Sequence, residues 1–200
     1  MSRHNREIML IRHPETVANV ESRYCGRCES PVTERGLAQT QWLERVVAAF
    51  GPDAVYASPL GRALSTATAI APDGVTATVL DDLAEIDFGD VEGLRWEDLD
   101  AAGIRLDYES GGPLAPGGER GADFDLRVRR AAVEIESGAI RPVVVTHGGV
   151  IRRLLSLWLD LPADAMWRIA VPNAVAATFR LAGGTIVLGS LVPPPDDGTR

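Results

Sequence analysis

The chain has 200 residues, of which 46% are hydrophobic and 24% charged, a composition typical of one folded domain. It excludes collagen-like, low-complexity and wholly disordered proteins. The formal net charge is −8 at pH 7, which disfavours non-specific binding to nucleic acid because phosphates are repelled from most of such a surface. An anion site would therefore need a local group of arginines.

The sequence contains no apolar run long enough to span a bilayer and no signal-peptide core near its start, so we expect a cytoplasmic protein without a membrane partner. The two cysteines, Cys25 and Cys28, are too few for a disulfide framework or a cysteine-rich zinc site. We expect a single domain over residues 1–192 and a disordered tail over 193–200. The oligomeric state stays open, with a homo-oligomer among the alternatives.

The N-terminal part predicts a strand, a loop and a helix. Residues 7–11 form a short apolar run typical of a buried strand, and this run ends at Arg12-His13-Pro14. A loop rich in Gly, Ser, Cys and Pro is expected over 21–32. The next helix is expected from Thr33 to about Phe50, because its apolar residues recur at helical spacing.

The next segment predicts two further strands and the helix between them. Residues 54–57 are expected to form a buried strand. Ser58-Pro59 predicts the N-cap and first position of the following helix. A third strand is expected over about 75–80. Behind it, residues 86–121 are rich in loop-forming residues and predict an insertion over the sheet with short helices.

The C-terminal part completes an alternation of strands and helices. Apolar residues at helical spacing predict one helix: Phe124, Val128, Ala131, Ala132 and Ile135. Residues 142–146 form a β-branched run typical of a central parallel strand. Strands over about 175–181 and 185–191 flank Gly183-Gly184, which predicts a hairpin. The whole pattern predicts an α/β fold, a three-layer sandwich with a mostly parallel sheet flanked by helices.

Polar residues that could bind a ligand follow the ends of these strands, where ligands bind in sheets of this kind. They are Arg12 and His13 after the first strand, Ser58 and Arg62 after the second, Glu85 after the third, and His147 after residues 142–146. Guanidinium groups and helix N-termini bind phosphate oxygens. The sequence therefore predicts a site for a small dianion at this edge of the sheet.

Two histidines and a carboxyl group beside such an anion fit phosphoryl transfer. A neutral imidazole can attack phosphorus and carry the phosphoryl group covalently. A nearby carboxyl group can protonate the leaving oxygen and later activate water. Arginine and a protonated histidine would carry the charge, so no metal and no other cofactor is expected.

Four blocks in order carry a resemblance to a known family. They are Arg12-His13-Pro14-Glu15-Thr16 with Asn19, Gly26-x-x-Glu29-x-Pro31-Val32-Thr33-x-x-Gly36, Ser58-x-Leu60-x-Arg62-x-x-x-Thr66-Ala67, and Val145-Thr146-His147-Gly148-Gly149. This set resembles the histidine phosphatase superfamily, which includes the cofactor-dependent phosphoglycerate mutases. The resemblance extends over about residues 8–190 and implies a phosphoglycerate mutase-like fold.

The resemblance also implies roles for individual residues. His13 would be the nucleophile that forms a phosphohistidine. Arg12, Arg62 and His147 would hold the phosphoryl group with assistance from Asn19, and His147 would count among the catalytic residues. Glu85 would be the proton donor. Its neighbours Asp81, Asp82 and Asp87 are alternatives. Pro14 fits the first turn of a helix, and Asn19 could instead simply end that helix as a cap.

Two positions depart from the family pattern. Pro14 stands where the family usually has Gly, which removes one backbone donor. Glu29 stands where Asp is usual. Neither change removes a group on which the chemistry depends, so activity is expected.

Other classes of function remain open beside this one. Cys25-x-x-Cys28 resembles a thioredoxin-type redox motif, but Pro31 would break the helix that such a motif needs. A phosphate-binding module without turnover is another alternative. A metallohydrolase is disfavoured because no pair of histidines has ligand spacing.

The substrate is expected to be a small phosphomonoester, and the short chain favours a phosphatase over a mutase. Several stretches resemble the alpha-ribazole phosphatases of cobalamin biosynthesis, most distinctively Pro162-Ala163-x-Ala165-Met166-Trp167. A broad-specificity, phosphosugar or phosphoglycerate phosphatase, or a mutase, is the alternative. Trp96 and Tyr108 in the insertion are candidates for lining the substrate pocket.

We expect Arg12 and Arg62 to disfavour protonation of His13, and the rate to depend on pH as a bell-shaped curve.

Overall fold

The structure is a computed structural model that describes residues 6–107 and 111–195. The strands in these ranges are β1 (Arg6–Arg12), β2 (Ala54–Ala57), β3 (Thr78–Val79), β4 (Pro142–Thr146), β5 (Ala176–Ala182) and β6 (Thr185–Val192). They form one sheet in the order β3-β2-β4-β1-β5-β6. The first four in this order are parallel, and β5 and β6 form an antiparallel hairpin at one edge.

Helices cover both faces of the sheet. They are α1 (Val17–Val20), α2 (Glu34–Phe50), α3 (Gly61–Ile70), α4 (Trp96–Ala101), α5 (Gly121–Ser137) and α6 (Gly148–Trp158), with 3-10 turns at Asp81–Leu83, Gly89–Val91 and Ala163–Arg168. The predicted three-layer α/β sandwich with a mostly parallel sheet is therefore confirmed. In the described ranges, no helix combines the length and apolar character required to cross a membrane.

The central strands are buried on both faces, which explains their continuous apolar sequences. Ile8 and Leu10 of β1 pack into a cluster with buried residues of α5 and α6. Met9 and Ile11 point to the other face and pack with buried residues of α2 and α3. Full burial of each such side chain stabilises the fold by about 1.5–3 kcal/mol. This two-sided core fixes the ends of β1 and β4, where the candidate site lies.

Several predicted elements have the expected bounds. The strands over 54–57 and 142–146 are confirmed, and the helix expected from Thr33 begins at Glu34 with the Thr33 hydroxyl accepting the Gly36 N–H at 3.0 Å. The hairpin is confirmed as well. Its turn residues Gly183 and Gly184 have φ angles of 62° and 89°, the backbone region that a two-residue hairpin turn requires and that glycine readily adopts.

Ser58-Pro59 does not start the next helix, so this prediction is wrong. Helix α3 begins at Gly61 after an N-cap at Leu60. The Ser58 hydroxyl instead accepts the Leu60 N–H at 3.2 Å and lies 2.7 Å from His147 Nε2. The carboxylate of Glu29 takes the capping position by accepting the Gly61 N–H at 3.0 Å.

The third strand is also shorter than expected. Only Thr78 and Val79 belong to β3, whereas 75–80 was predicted. The Val75 N–H bonds to the Pro72 carbonyl at 3.0 Å, so the first residues of the predicted strand belong to a turn. The Leu80 N–H donates to the Ala57 carbonyl at 2.9 Å, so the chain continues beside β2 toward Glu85.

The segment over 86–121 contains one 3-10 turn and α4 in its described part, together with a small apolar cluster of Val91, Leu99 and Ala115. It pairs with the loop after α1 through the bonds Tyr24 N–H to Leu94 O and Gly93 N–H to Tyr24 O, at 2.9 and 2.7 Å. This contact places the segment beside the site. Tyr108 and residues 196–200 of the predicted tail lie outside the described residues.

Candidate active site

The candidate site forms where β2, β4 and β1 end side by side. Arg12 is the last residue of β1, and the His13 N–H continues the ladder to the Thr146 carbonyl at 2.9 Å. Ser58 follows β2 and donates its N–H to Val145 O at 3.0 Å. Residues that are far apart in sequence therefore meet at one edge because adjacent parallel strands end together.

A cavity of about 330 Å³ opens at this edge. It is lined by Arg12, His13, Thr16, Asn19, Arg23, Tyr24, Cys25, Arg62, Glu85, Phe88, Trp96, Gly148, Arg152 and Trp167. All predicted site residues except Ser58 and His147 are in this lining, and the His147 ring lies beneath it, with its centroid 5.2 Å from that of His13. Arginines contribute four of the lining positions, which makes the cavity suitable for an anion.

His13 is held as a neutral imidazole with a defined free nitrogen. Its Nδ1 lies 2.8 Å from the carbonyl oxygen of Pro14, so Nδ1 carries the proton and Nε2 keeps its lone pair. Burial, followed by the positive charges of Arg12 and Arg62, lowers its pKa well below 6.5. The expectation that both arginines disfavour protonation of His13 is confirmed.

His147 lies at the N-terminus of α6, where it is fully buried. Its Nε2 is 2.7 Å from the Ser58 hydroxyl. That hydroxyl oxygen already accepts the Leu60 N–H, so its proton is available to Nε2, and the proton of neutral His147 then lies on Nδ1. Nδ1 is buried and has no hydrogen-bond partner among the described residues. Burial, then His13 and the nearby arginines, lowers the pKa of His147.

Arg12 contributes a second buried nitrogen without a partner in the described ranges, Nε. Its Nη1 donates to the Val171 carbonyl at 2.6 Å. Burial is the main cause that lowers its pKa to about 10, with Glu85 acting in the opposite direction, so the group remains charged at neutral pH. Buried polar atoms normally have partners, and two unpartnered nitrogens at one site indicate room for a ligand that accepts hydrogen bonds.

Arg62 is held by backbone carbonyls. Its guanidinium donates to the oxygens of Cys25, Gly26 and Cys28 at 3.1, 2.7 and 2.8 Å. The other side of this loop is fixed by the Glu92 carboxylate, which accepts the N–H groups of Gly26, Arg27 and Cys28. The peptide groups of 26–28 thus lie between an anion and a cation, which defines where Arg62 sits.

Asn19 presents its amide nitrogen as the remaining donor. Its oxygen accepts from the N–H and hydroxyl of Thr16 at 3.1 and 3.0 Å and from Asn173 Nδ2 at 2.9 Å. Thr16 and Asn19 form a capping box at the start of α1, and the C-cap is Glu21, so the alternative that Asn19 ends this helix as a cap is wrong. Asn19 also lines the cavity.

Glu85 is fixed by backbone donors at the edge of the cavity. Its Oε2 accepts the Gly149 N–H and its Oε1 accepts the Ile86 N–H, both at 3.0 Å. A Cβ atom on Gly149 would lie 2.5 Å from Glu85 Oε1, so only glycine allows this approach. Arg127 holds the same segment from behind by donating to the carbonyls of Asp82, Ala84 and Glu85.

The three alternative acids lie elsewhere. Asp82 pairs with Arg130 at 2.7 Å, and Asp87 accepts the Gly89 N–H at 2.8 Å. Asp81 belongs to the 3-10 turn and is exposed. None of the three lines the cavity, whereas Glu85 does.

The two departures from the family pattern have clear structural consequences. Pro14 is buried and supplies an acceptor, its carbonyl, to His13 Nδ1. This contact does not need the missing N–H. Glu29 caps α3 with its carboxylate.

The environment of the cysteines is unlike that of a thioredoxin-type thiol. Cys25 and Cys28 lie in a loop rather than at a helix N-terminus. Burial, Cys25 and Glu92 raise the pKa of the Cys28 thiol. The described residues also contain no group of three or more His, Cys, Asp or Glu that could hold a metal ion.

Four residues of the site were missed as such by the sequence analysis: Ser58 as a partner of His147, Glu92, Arg127 and Asn173. Ser58 carried a competing local signal because Ser-Pro is typical of a helix start. The contact of Glu92 with Gly26 joins residues that are 66 positions apart in the sequence. Arg127 and Asn173 have no local signal at all.

The buried neutral histidines predict a pH-dependent stability. In the unfolded chain His13 and His147 become protonated near pH 6.5, whereas in the folded chain they become protonated only well below pH 6.5. Between those values the unfolded state binds more protons, so the free energy of unfolding should fall as the pH is lowered from about 7 to 5. Each histidine contributes up to about 1.4 kcal/mol per pH unit. Urea unfolding of the wild type and of His13→Gln across this range measures the share of His13. Equal slopes for the two proteins would contradict it.

Comparison with known proteins identifies the family to which this chain is similar. The model of the histidine phosphatase superfamily (branch 1) matches residues 8–192. An adenosylcobalamin/alpha-ribazole phosphatase from Escherichia coli is 32% identical over 173 residues, which is 82% of this chain and 84% of that one. A glucosyl-3-phosphoglycerate phosphatase from Mycolicibacterium vanbaalenii is 32% identical over 193 residues, 90% of this chain and 85% of that one.

Solved structures agree with the fold described above. The alpha-ribazole phosphatase from Shigella flexneri superposes with a TM-score of 0.83 at 28% identity, covering 92% of this chain and 95% of that chain. The predicted phosphoglycerate mutase-like architecture is confirmed by this likeness. The family model matches residues 8–192, and the four motif blocks lie around the cavity. The chain therefore belongs to the histidine phosphatase superfamily and is a phosphoric monoester hydrolase.

Proposed function

We propose that this protein hydrolyses a small phosphomonoester through a phosphohistidine on His13. The observation that carries the proposal is a set of three nitrogens at one place. Nε2 of His13 has a lone pair, while Nε of Arg12 and Nδ1 of His147 are buried donors without a partner in the described chain. A phosphoryl group supplies the acceptor oxygens that both donors lack and an electrophilic phosphorus for the imidazole.

In the first step the Nε2 lone pair of His13 forms a bond to phosphorus, and the bond from phosphorus to the ester oxygen breaks. Glu85, in its protonated form, gives its proton to that leaving oxygen. In the second step the Glu85 carboxylate takes a proton from water, whose oxygen attacks phosphorus while the N–P bond breaks. Inorganic phosphate leaves, and His13 and Glu85 return to their starting states.

The positive groups stabilise the charge on the phosphoryl oxygens during both steps. Arg12 and Arg62 are fixed by carbonyl oxygens, so little reorganisation is needed when the dianion arrives. Asn19 adds an uncharged donor. We expect the dianion to raise the proton affinity of His147, which is low in the free protein because of burial and surrounding positive charge.

The outer part of the cavity supports a substrate with a flat aromatic group. Tyr24, Phe88, Trp96 and Trp167 line it, and the Tyr24 ring lies 5.2 Å from Phe88 and 6.3 Å from Trp96. Aromatic walls of this kind stack on heterocyclic bases. Together with the names of the relatives from E. coli and S. flexneri, this favours alpha-ribazole 5′-phosphate, a benzimidazole nucleotide of cobalamin biosynthesis, as the substrate.

A phosphosugar or phosphoglycerate ester is the second candidate. The M. vanbaalenii relative, a glucosyl-3-phosphoglycerate phosphatase, is as similar to this chain as the E. coli protein. Arg152 lines the same cavity and would suit a substrate carboxylate. The net charge of −8 opposes a nucleic-acid substrate, so both candidates are small molecules.

Removal of the nucleophile tests the reaction itself. We expect EDTA-treated wild-type protein to hydrolyse p-nitrophenyl phosphate and His13→Ala to lose activity by about 10³-fold or more, because the covalent step has no other nucleophile. A rapid quench in base should trap phosphoprotein in the wild type only. Turnover that survives in His13→Ala would show that His13 is not the nucleophile.

The role of Glu85 is tested by leaving groups of different basicity. The ratio kcat/KM reports the first step, in which an alkoxide needs a proton and p-nitrophenolate does not. Glu85→Gln should therefore lower kcat/KM for an alkyl phosphate by roughly 10²–10⁴-fold and affect p-nitrophenyl phosphate far less. Asp82→Asn, which changes a nearby acid outside the cavity, is the matched control. An equal loss for both substrates would assign Glu85 a different role.

The aromatic wall is tested by Trp96, whose side chain is 60% exposed at the cavity. Trp96→Leu should raise KM for alpha-ribazole 5′-phosphate by about tenfold or more, the effect of one lost stacking contact. It should leave kcat/KM for glucose 6-phosphate unchanged, and Trp96→Phe should keep most of the preference. Faster turnover of phosphosugars than of alpha-ribazole 5′-phosphate by the wild type would favour the second candidate.

A further inference from the structure

The Cys25-x-x-Cys28 pair lies beside the phosphate site, and the proposed reaction uses neither sulfur. The two Sγ atoms are 2.6 Å apart, and Cys25 Sγ donates to the Cys28 carbonyl at 3.1 Å. Both side chains are partly exposed free thiols, and Cys25 lines the cavity. The loop that carries them is the one whose carbonyls hold Arg62.

We propose that Cys25 and Cys28 are a thiol–disulfide exchange site for anionic low-molecular-weight disulfides, in which Cys28 displaces a thiol adduct from Cys25 and so keeps the phosphate cavity open.

The cavity attracts such disulfides and is also vulnerable to them. Arg12, Arg62 and Arg152 line it together with Cys25, so a disulfide that carries carboxylates, such as oxidised glutathione, is drawn to the same place as the substrate. An adduct on Cys25 would occupy a space of about 330 Å³ that contains His13 and Arg62. Substrate and adduct cannot be there together.

The exchange proceeds in two balanced steps. The Cys25 thiolate attacks one sulfur of the disulfide, a mixed disulfide forms, and the first glutathione leaves as a thiolate that takes up the proton lost by Cys25. The Cys28 thiol then loses its proton and attacks Cys25 Sγ, the bond from Cys25 to glutathione breaks, and the second glutathione leaves as a thiolate that takes up this proton, so a Cys25–Cys28 disulfide remains. Two protein thiols are oxidised and one glutathione disulfide is reduced to two thiols.

The geometry favours the second step. Cys28 Sγ is already in contact with the sulfur that it must attack, and closing a bond of about 2.0 Å moves the two atoms by roughly half an ångström. Part of the high pKa of Cys28 comes from its neighbour Cys25. That contribution ends when Cys25 carries an adduct, so the attacking thiolate becomes easier to form at that moment.

The oxidised loop can keep its hydrogen bonds with Arg62. The bonds from Arg62 go to backbone carbonyls, and the N–H groups of the same peptides stay with Glu92. The bonds that depend on an S–H are lost, namely that from Cys25 Sγ to the Cys28 carbonyl and that between the Cys28 thiol and the Glu92 carboxylate. We therefore expect the intramolecular disulfide to be compatible with turnover, unlike the mixed disulfide.

The test compares the reduced wild type, Cys28→Ser and Cys25→Ser after exposure to oxidised glutathione. One portion of each sample is quenched with acid for measurement of the intact mass. A second portion is assayed with p-nitrophenyl phosphate, and its activity is divided by that of the same protein in reduced form, so any loss caused by the substitution itself cancels. The wild type should lose two hydrogens and keep its activity within about twofold. Cys28→Ser should gain one glutathione and lose activity at least tenfold, with recovery in dithiothreitol. Cys25→Ser should gain no adduct.

Three results would overturn the proposal. They are a wild type that stays unmodified, a wild type that accumulates the glutathione adduct, and a Cys28→Ser adduct that remains fully active. The mass readout needs no catalytic turnover, so a failure of the proposed reaction is seen separately. A wild type that forms the disulfide but hydrolyses no phosphate ester would refute the proposed function and not the exchange.

Discussion

Two guanidinium groups beside a neutral histidine are held by carbonyl oxygens instead of carboxylates. Arg12 bonds to Val171 and Arg62 to the loop of Cys25, Gly26 and Cys28. A carboxylate bonded to either group would neutralise the charge and compete with a phosphoryl ligand. Carbonyl dipoles satisfy the N–H donors and leave the positive charge in place. Burial is the main cause of the low pKa of His13, and the positive charge that this arrangement leaves in place lowers that pKa further.

The fold uses buried arginine differently a short distance away. Arg127 pairs with Glu119 at 2.6 Å, and both side chains are mostly buried, so the charges cancel. The same guanidinium binds three carbonyls of the segment that carries Glu85. Arg127 therefore fixes backbone geometry, whereas Arg12 and Arg62 also supply charge. The difference lies in whether a carboxylate is bonded to the side chain.

Much of the fold and of the site can be predicted from the sequence, and the reasons are local. Strands β2 and β4 have apolar or β-branched runs, so their bounds were correct, and the residues that directly follow them, Ser58 and His147, meet at the site. Ser58 was misassigned because a local signal, Ser before Pro, competed with a tertiary contact to His147. The contacts of Glu92 and Arg127 join distant segments and leave no periodic trace in the sequence.

The strand order also has a consequence for how the chain reaches its folded state. β4 pairs with β1 on one side and with β2 on the other, with Met9 opposite Val143 and Val55 opposite Val143. During synthesis from the N-terminus, β1 thus has no sheet partner until more than two thirds of the chain has been made. Such non-local pairing slows folding and exposes an apolar strand in the nascent chain. His13 and Arg12 would remain far from His147 for the same period, so the reaction centre is among the last parts of the molecule to form.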